Sequence, residues 1–120
     1  MKISPQRGRY AAIPILFSSD FCRSCRFYSD GLECAVHKDA GNLWVRGGGL
    51  DLKICRCSDP FLTSNLSVVC HTKDVARLYQ KYLTKPYVPV TKLKFHPCGK
   101  LQFSLTDPDG NTLYFVEDVV

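Results

Sequence analysis

Seven cysteines and three histidines carry most of the nucleophilic and metal-binding capacity of this 120-residue chain. Cys22-Arg23-Ser24-Cys25 has zinc-knuckle spacing, and Cys55-Arg56-Cys57 adds a second close pair. On a helix, Cys22 and Cys25 would share a face at i, i+3, but a structural zinc needs four convergent ligands. A redox dithiol belongs at a helix start after a strand, which this pair roughly satisfies, yet no thioredoxin-like order of elements follows it. Small, half-buried residues packed beneath a sheet is the plainer expectation. His37 and His71 fall at strand ends and His96 in a loop, and none has a partner at metal spacing. His71 is the one histidine placed for proton transfer. With no Ser-His-Asp or Cys-His arrangement, no catalytic residue, metal ligand or cofactor is assigned.

Composition narrows what these residues can serve. The length fits one domain over residues 1–120. An apolar fraction of 45% argues against disorder, and no apolar run approaches the roughly 20 residues of a membrane span. Sixteen basic against eleven acidic residues give a net charge of +5, but the basic residues are spread along the chain, so neither a nucleic acid nor a membrane is an expected partner. An odd set of cysteines without a secretory segment fits a reducing cytoplasm. Met1 to Arg9 reads as a short basic tail leading into the first strand.

The elements that must position any site come from turn chemistry and apolar spacing. Ala11–Phe17 reads as a strand, and Ser18-Ser19-Asp20 offers caps for a helix over about Asp20–Ser29. Leu32–His37, Asn42–Arg46 and Leu50–Arg56 read as strands, with Gly47-Gly48-Gly49 as a hairpin turn, since no helix follows it to make a phosphate cradle. The order then repeats: a strand at Leu66–His71, a helix at Lys73–Leu83, and strands at Tyr87–Phe95, Lys100–Thr106 and Thr112–Glu117. A shift of 54 residues lays Asp20 on Asp74 and Tyr28 on Tyr82; a shift of 63 lays Gly49–Leu52 on Thr112–Phe115. The fold class is therefore α+β, two βαβββ units (about 10–57 and 64–118) making a curved mixed sheet with helices on its convex side.

Strand alternation then nominates the concave lining. Leu43 and Val45, Leu50, Leu52 and Ile54, and Leu101, Phe103 and Leu105 should face the helices. Their neighbours Trp44, Arg46, Asp51, Lys53, Gln102 and Ser104, with Ser67 and His71 from the fifth strand and Tyr114 from the last, should face the concavity. Two aromatic residues among hydrogen-bonding and charged neighbours suit a planar or amphiphilic organic ligand. The same parity also describes a solvent face or a dimer contact.

Asp20 with Phe27-Tyr28 and Leu32, Asp74-Val75 with Leu78-Tyr79, His96-Pro97-Cys98-Gly99 and Asp107-Pro108-Asp109-Gly110-Asn111 together resemble the vicinal-oxygen-chelate superfamily, within it the glyoxalase/bleomycin-resistance group, over roughly residues 10–118. Glu33 stands where the family usually has Gly, and Cys98 where bleomycin binders often have Trp. The resemblance implies a divalent metal held by His or Glu from the first and last strands of each unit. The matching positions here are Ile13, Asp51, Ser67 and Tyr114, which offer one carboxylate. It therefore implies a metal-independent, sequestering or resistance-type binding protein, usually a homodimer. Family binders of cationic bleomycin present acidic grooves, so Arg46, Lys53 and the +5 charge favour a neutral aromatic or anionic ligand. The alternative is a superfamily enzyme (lyase, dioxygenase or thiol transferase) whose metal site is rearranged around Asp51 with His71 or cysteines.

Overall fold

The computed structural model describes residues 12–63 and 66–119. The basic tail, the Ala11 start of the first expected strand and the chain's final residue lie outside them. The first unit runs β1 (Ile15–Ser18), α1 (Phe21–Arg26) extended by a π-helical turn (Phe27–Gly31), β2 (Ala35–Asp39), β3 (Asn42–Gly47) and β4 (Leu50–Arg56). A short helix, α2 (Pro60–Thr63), leads to the second: β5 (Ser67–His71), α3 (Val75–Leu83), β6 (Lys94–His96), β7 (Lys100–Thr106) and β8 (Thr112–Asp118). Each unit makes one four-stranded mixed sheet, ordered β1-β4-β3-β2 and β5-β8-β7-β6, with the first strand parallel to the last. This is the expected α+β architecture of two repeated βαβββ units.

The repeat is visible at the helix starts. Asp20 and Asp74 both cap, their carboxylates accepting from the N–H of Arg23 at 3.1 Å and of Arg77 at 3.3 Å. One helical stretch further on, Tyr28 and Tyr82 are both fully buried. The last strands correct the shift of 63. Ile15 pairs with Lys53 and Val69, its counterpart 54 residues on, pairs with Tyr114, so the shift in the ladder is 114 − 53 = 61 and Tyr114 occupies the place of Lys53. The two hairpins differ in length, Gly47–Leu50 closing one and Thr106–Thr112 the other, and a sequence match cannot weigh that difference.

Two strand boundaries also differ from expectation. Glu33 takes φ +58°, the left-handed region where Gly is preferred, so the chain turns there and β2 begins only at Ala35. Pro86 and Pro89 supply no N–H, and the segment before Lys94 meets β7 through an isolated Val90–Leu105 bridge and hydrogen bonds between Thr91 and Ser104 rather than as a strand.

Alternation is obeyed on the sheet faces turned to the helices: Leu43, Val45, Leu50, Leu52, Ile54, Phe103, Leu105, Leu113 and Phe115 are buried with Tyr28, Tyr82, Val75 and Leu78. Phe103 stacks on Phe115 with centroids 5.1 Å apart, and Tyr82 meets both rings. Polar contacts then join the units. The Tyr28 hydroxyl donates to Asp107 Oδ2 at 2.7 Å, the Tyr82 hydroxyl to the Leu32 carbonyl at 3.4 Å, and the Arg23 guanidinium to Asp109 at 2.7 Å. Glu33 bridges Lys81 and Lys85, which lower its carboxyl pKa. Among the described residues no helix is long and apolar enough to cross a membrane.

Candidate functional site

The two-residue turn Ala40-Gly41, with φ +49° and +82°, folds β2 back on β3 in a tight hairpin. Its register sets His37 opposite Trp44 and Ala35 opposite Arg46. On the other side of β3, Trp44 pairs with Lys53 and Arg46 with Asp51. The result is an open cleft of about 420 Å³ lined by Ala35, His37, Asp39, Trp44, Arg46 and Asp51 among others. Trp44 supplies its flat wall, and the Lys53 ammonium lies 5.3 Å from the ring centroid as a cation–π contact. Arg46 reaches Asp51 at 3.6 Å while its side chain stays 70% exposed. That pairing partly neutralises the cleft, so its surface is more balanced in charge than Arg46 and Lys53 alone imply.

A second cavity of about 270 Å³ lies where the inner edges of the two sheets meet. Asp51, Val69 and His71 all line it. Asp51 thus borders both spaces and is the one candidate shared between them. Ser67 and His71 are exposed on β5, while Gln102 and Tyr114 are half-buried on the polar side of β7 and β8. The structure brings Trp44, Arg46 and Asp51 together in one cleft with Lys53 at the ring, and Asp51 with His71 in another.

Ser104 is differently employed. It is buried, its hydroxyl lies 3.0 Å from the Thr91 hydroxyl, and its N–H donates to Thr91 Oγ1 at 2.8 Å. These bonds fasten the irregular segment before β6 to the edge of β7. His37, by contrast, lines the cleft, a place its position near a strand end does not suggest. The usable signal was the Ala40-Gly41 turn, which fixes the register that faces His37 to Trp44.

The donor set does not fit a divalent centre of the usual kind. The ladder shift of 61 puts Thr112, not Tyr114, in the place equivalent to Asp51, so Asp51 stays the one carboxylate among Ile13, Asp51, Ser67, Thr112 and Tyr114, and it already pairs with Arg46. Among the described residues no group of three or more His, Cys, Asp or Glu could hold a metal ion. The buried thiols are poor nucleophiles: burial pushes Cys34 up to about 11 and Cys70 up to about 12.

No protein-family model and no curated protein matches the chain by sequence. Solved structures do match its fold. A bleomycin-binding protein complexed with bleomycin superposes with a TM-score of 0.73 at 26% identity, over 88% of this chain and 96% of that one. The bleomycin-binding protein of bleomycin-producing Streptomyces verticillus, complexed with copper(II)-bleomycin, gives 0.75 at 25% identity, over 87% and 92%. A glyoxalase/bleomycin resistance protein/dioxygenase from Nocardioides gives 0.69 at 12% identity, over 97% and 91%.

Proposed function

Because the chain has the fold of the glyoxalase/bleomycin-resistance group of the vicinal-oxygen-chelate superfamily, we propose that it binds a small organic molecule without a metal, as a sequestering or resistance-type protein. The observation that carries this reading is the Trp44 cleft: an aromatic wall, an adjacent imidazole and a guanidinium around about 420 Å³. That volume lies in the range of small-molecule pockets, and a flat ring with a few polar groups orients a planar ligand. The two solved relatives at 25% and 26% identity bind bleomycin, which supports the binding class and leaves the ligand to the residues present.

Those residues favour a neutral aromatic or anionic molecule. Arg46 and Lys53 stand against Asp39 and Asp51 at the cleft, and the whole chain carries +5. The four charges balance at the cleft itself, so a cationic drug is opposed by the chain's net +5 rather than by the cleft. The proposed ligand contacts are Trp44, Arg46, Asp51 and Lys53 on the first unit, with Ser67, His71, Gln102 and Tyr114 on the second. A homodimer would let the second unit's face of one copy close over the cleft of another; Ile15, 49% exposed, and Val69, 57% exposed, supply apolar surface for that contact. Seven free thiols support a reducing, cytoplasmic setting.

Trp44 is the chain's single tryptophan, so its fluorescence reads the cleft directly. Titration with bleomycin, a neutral aromatic and an aromatic carboxylate should quench or shift Trp44 emission with the latter two. Tight bleomycin binding with no preference for anions would sink the charge assignment. The presence of Asp51 and His71 on one cavity favours a second reading, a superfamily enzyme (lyase, dioxygenase or thiol transferase) with a rearranged metal site. Stoichiometric Fe, Mn, Ni or Zn in protein purified without chelator would select it.

A further inference from the structure

Cys22 and Cys25 line one small cavity on the helix-covered side of the first unit. It measures about 190 Å³, has Phe21, Val36 and Leu43 as apolar walls, and includes Lys38 in its lining. Cys22 is exposed, Cys25 is half-buried, and both are free thiols. Leu43 faces the helices while its neighbour Trp44 lines the cleft, so this cavity and the ligand cleft occupy opposite faces of the same sheet.

The two thiols stand one turn apart on α1. Side chains at i, i+3 on a helix have Cβ atoms about 5–6 Å apart. A disulfide requires about 3.5–4.5 Å, so direct oxidation would distort the helix. An ion inserted between the sulfurs lengthens the bridge and removes the mismatch. Zinc would demand two further ligands, and among the described residues no third His, Cys, Asp or Glu joins the pair.

We infer that Cys22 and Cys25 form a two-thiolate site for a soft monovalent cation, with copper(I) the first-row ion that thiolate softness selects. Loading forms two S–Cu bonds, releases both thiol protons to solvent and changes no oxidation state. The bis-thiolate complex carries one negative charge, which the Lys38 ammonium at the cavity partly offsets. The site does not depend on the organic ligand of the Trp44 cleft.

The test is an anaerobic titration of the reduced full chain with copper(I) against a chromophoric copper(I) chelator. C22S and C25S should each take up one fewer ion per chain than wild type, while a C55S/C57S variant retains that ion. Copper X-ray absorption on the C55S/C57S variant should show two sulfur scatterers and no nitrogen. Unchanged circular dichroism in C22S, expected from the exposure of that side chain, separates loss of the site from loss of the fold. The inference fails if wild type takes up no copper(I), or if a C22S/C25S double variant takes up as much as wild type.

Discussion

The Tyr28 hydroxyl donates a 2.7 Å hydrogen bond to Asp107 Oδ2, tying the helix of the first unit to the β7–β8 turn of the second. Asp107 also accepts from the Asp109 and Asn111 backbone N–H groups and from Asn111 Nδ2, each at 2.9 Å. One carboxylate thereby closes its own turn and fixes how the two units dock. Asn111 extends the junction by donating to the Phe17 carbonyl on β1 at 3.4 Å.

Removing the two equivalent hydroxyls should have unequal effects. Y28F takes a buried donor from a carboxyl group and should cost about 1.5–3 kcal/mol, the range for hydrogen bonds to charged groups. Y82F loses a 3.4 Å bond to the neutral Leu32 carbonyl and should cost about 0.5–1.5 kcal/mol. Urea denaturation of both variants checks the order. Equal losses would mean that the Asp107 contact contributes no more than an ordinary neutral bond.

Asp107 should also leave a mark on the pH dependence of stability. Burial raises its carboxyl above the ordinary aspartate value of 3.8, and the donors from Asn111, Tyr28 and Asp109 oppose that rise. Because the folded value is the higher one, the native state takes up this proton first on acidification. The stabilising contribution is complete below about 3.8, the unfolded value, and is lost as pH rises through the folded value. D107N, which cannot titrate, should be less stable than wild type by about 1–3 kcal/mol at neutral pH through its mispaired donors. The gap should widen as pH falls. A gap that closes on acidification would show that the donors, rather than burial, govern this carboxyl.

The same pair of tyrosines marks how far sequence reasoning reached. Asp20 with Tyr28 and Asp74 with Tyr82 are spaced by local helix geometry, so a single shift found both caps and both buried rings. The buried faces were legible because a period of two records which side of a strand is apolar. His37 and Ser104 were not, since their surroundings depend on neighbours outside their own strands. A left-handed Glu33 delays β2 and displaces its expected end, and Thr91 reaches Ser104 from the irregular segment before β6. Nor could alternation tell how the two polar faces divide: the Trp44 cleft belongs to one unit, and Asp51 alone of the nine candidates borders both it and the inner cavity.

Gly48 offers a test of the other tyrosine. It sits at φ +59°, and a Cβ there would lie 2.9 Å from the Tyr82 hydroxyl oxygen. G48A should therefore be destabilised by about 1–2 kcal/mol from the left-handed backbone alone, with the contact adding to it. In a G48A/Y82F double variant the clash partner is absent, so the combined loss should fall short of the sum of the single losses. Thermal unfolding of the four proteins measures that coupling. Strict additivity would mean the hydroxyl moves aside freely.

Asp51 should set the charge preference of the cleft. Its carboxylate lies 3.6 Å from Arg46 Nε, and its side chain is only 10% exposed against 70% for the arginine. The carboxylate is therefore held in place while the guanidinium can swing toward solvent or ligand. D51N removes the negative charge and leaves Arg46 and Lys53 beside the Trp44 ring. Affinity for an aromatic carboxylate should rise, by about tenfold if the relieved opposition amounts to roughly 1.4 kcal/mol, while a neutral aromatic of the same shape should change little. W44A should weaken both, since the stacking surface serves either ligand. Isothermal titration with the matched pair separates these effects, because W44A also removes the fluorescent reporter. If D51N leaves the carboxylate's affinity unchanged and W44A weakens neither ligand, the recognition surface lies elsewhere on the sheet.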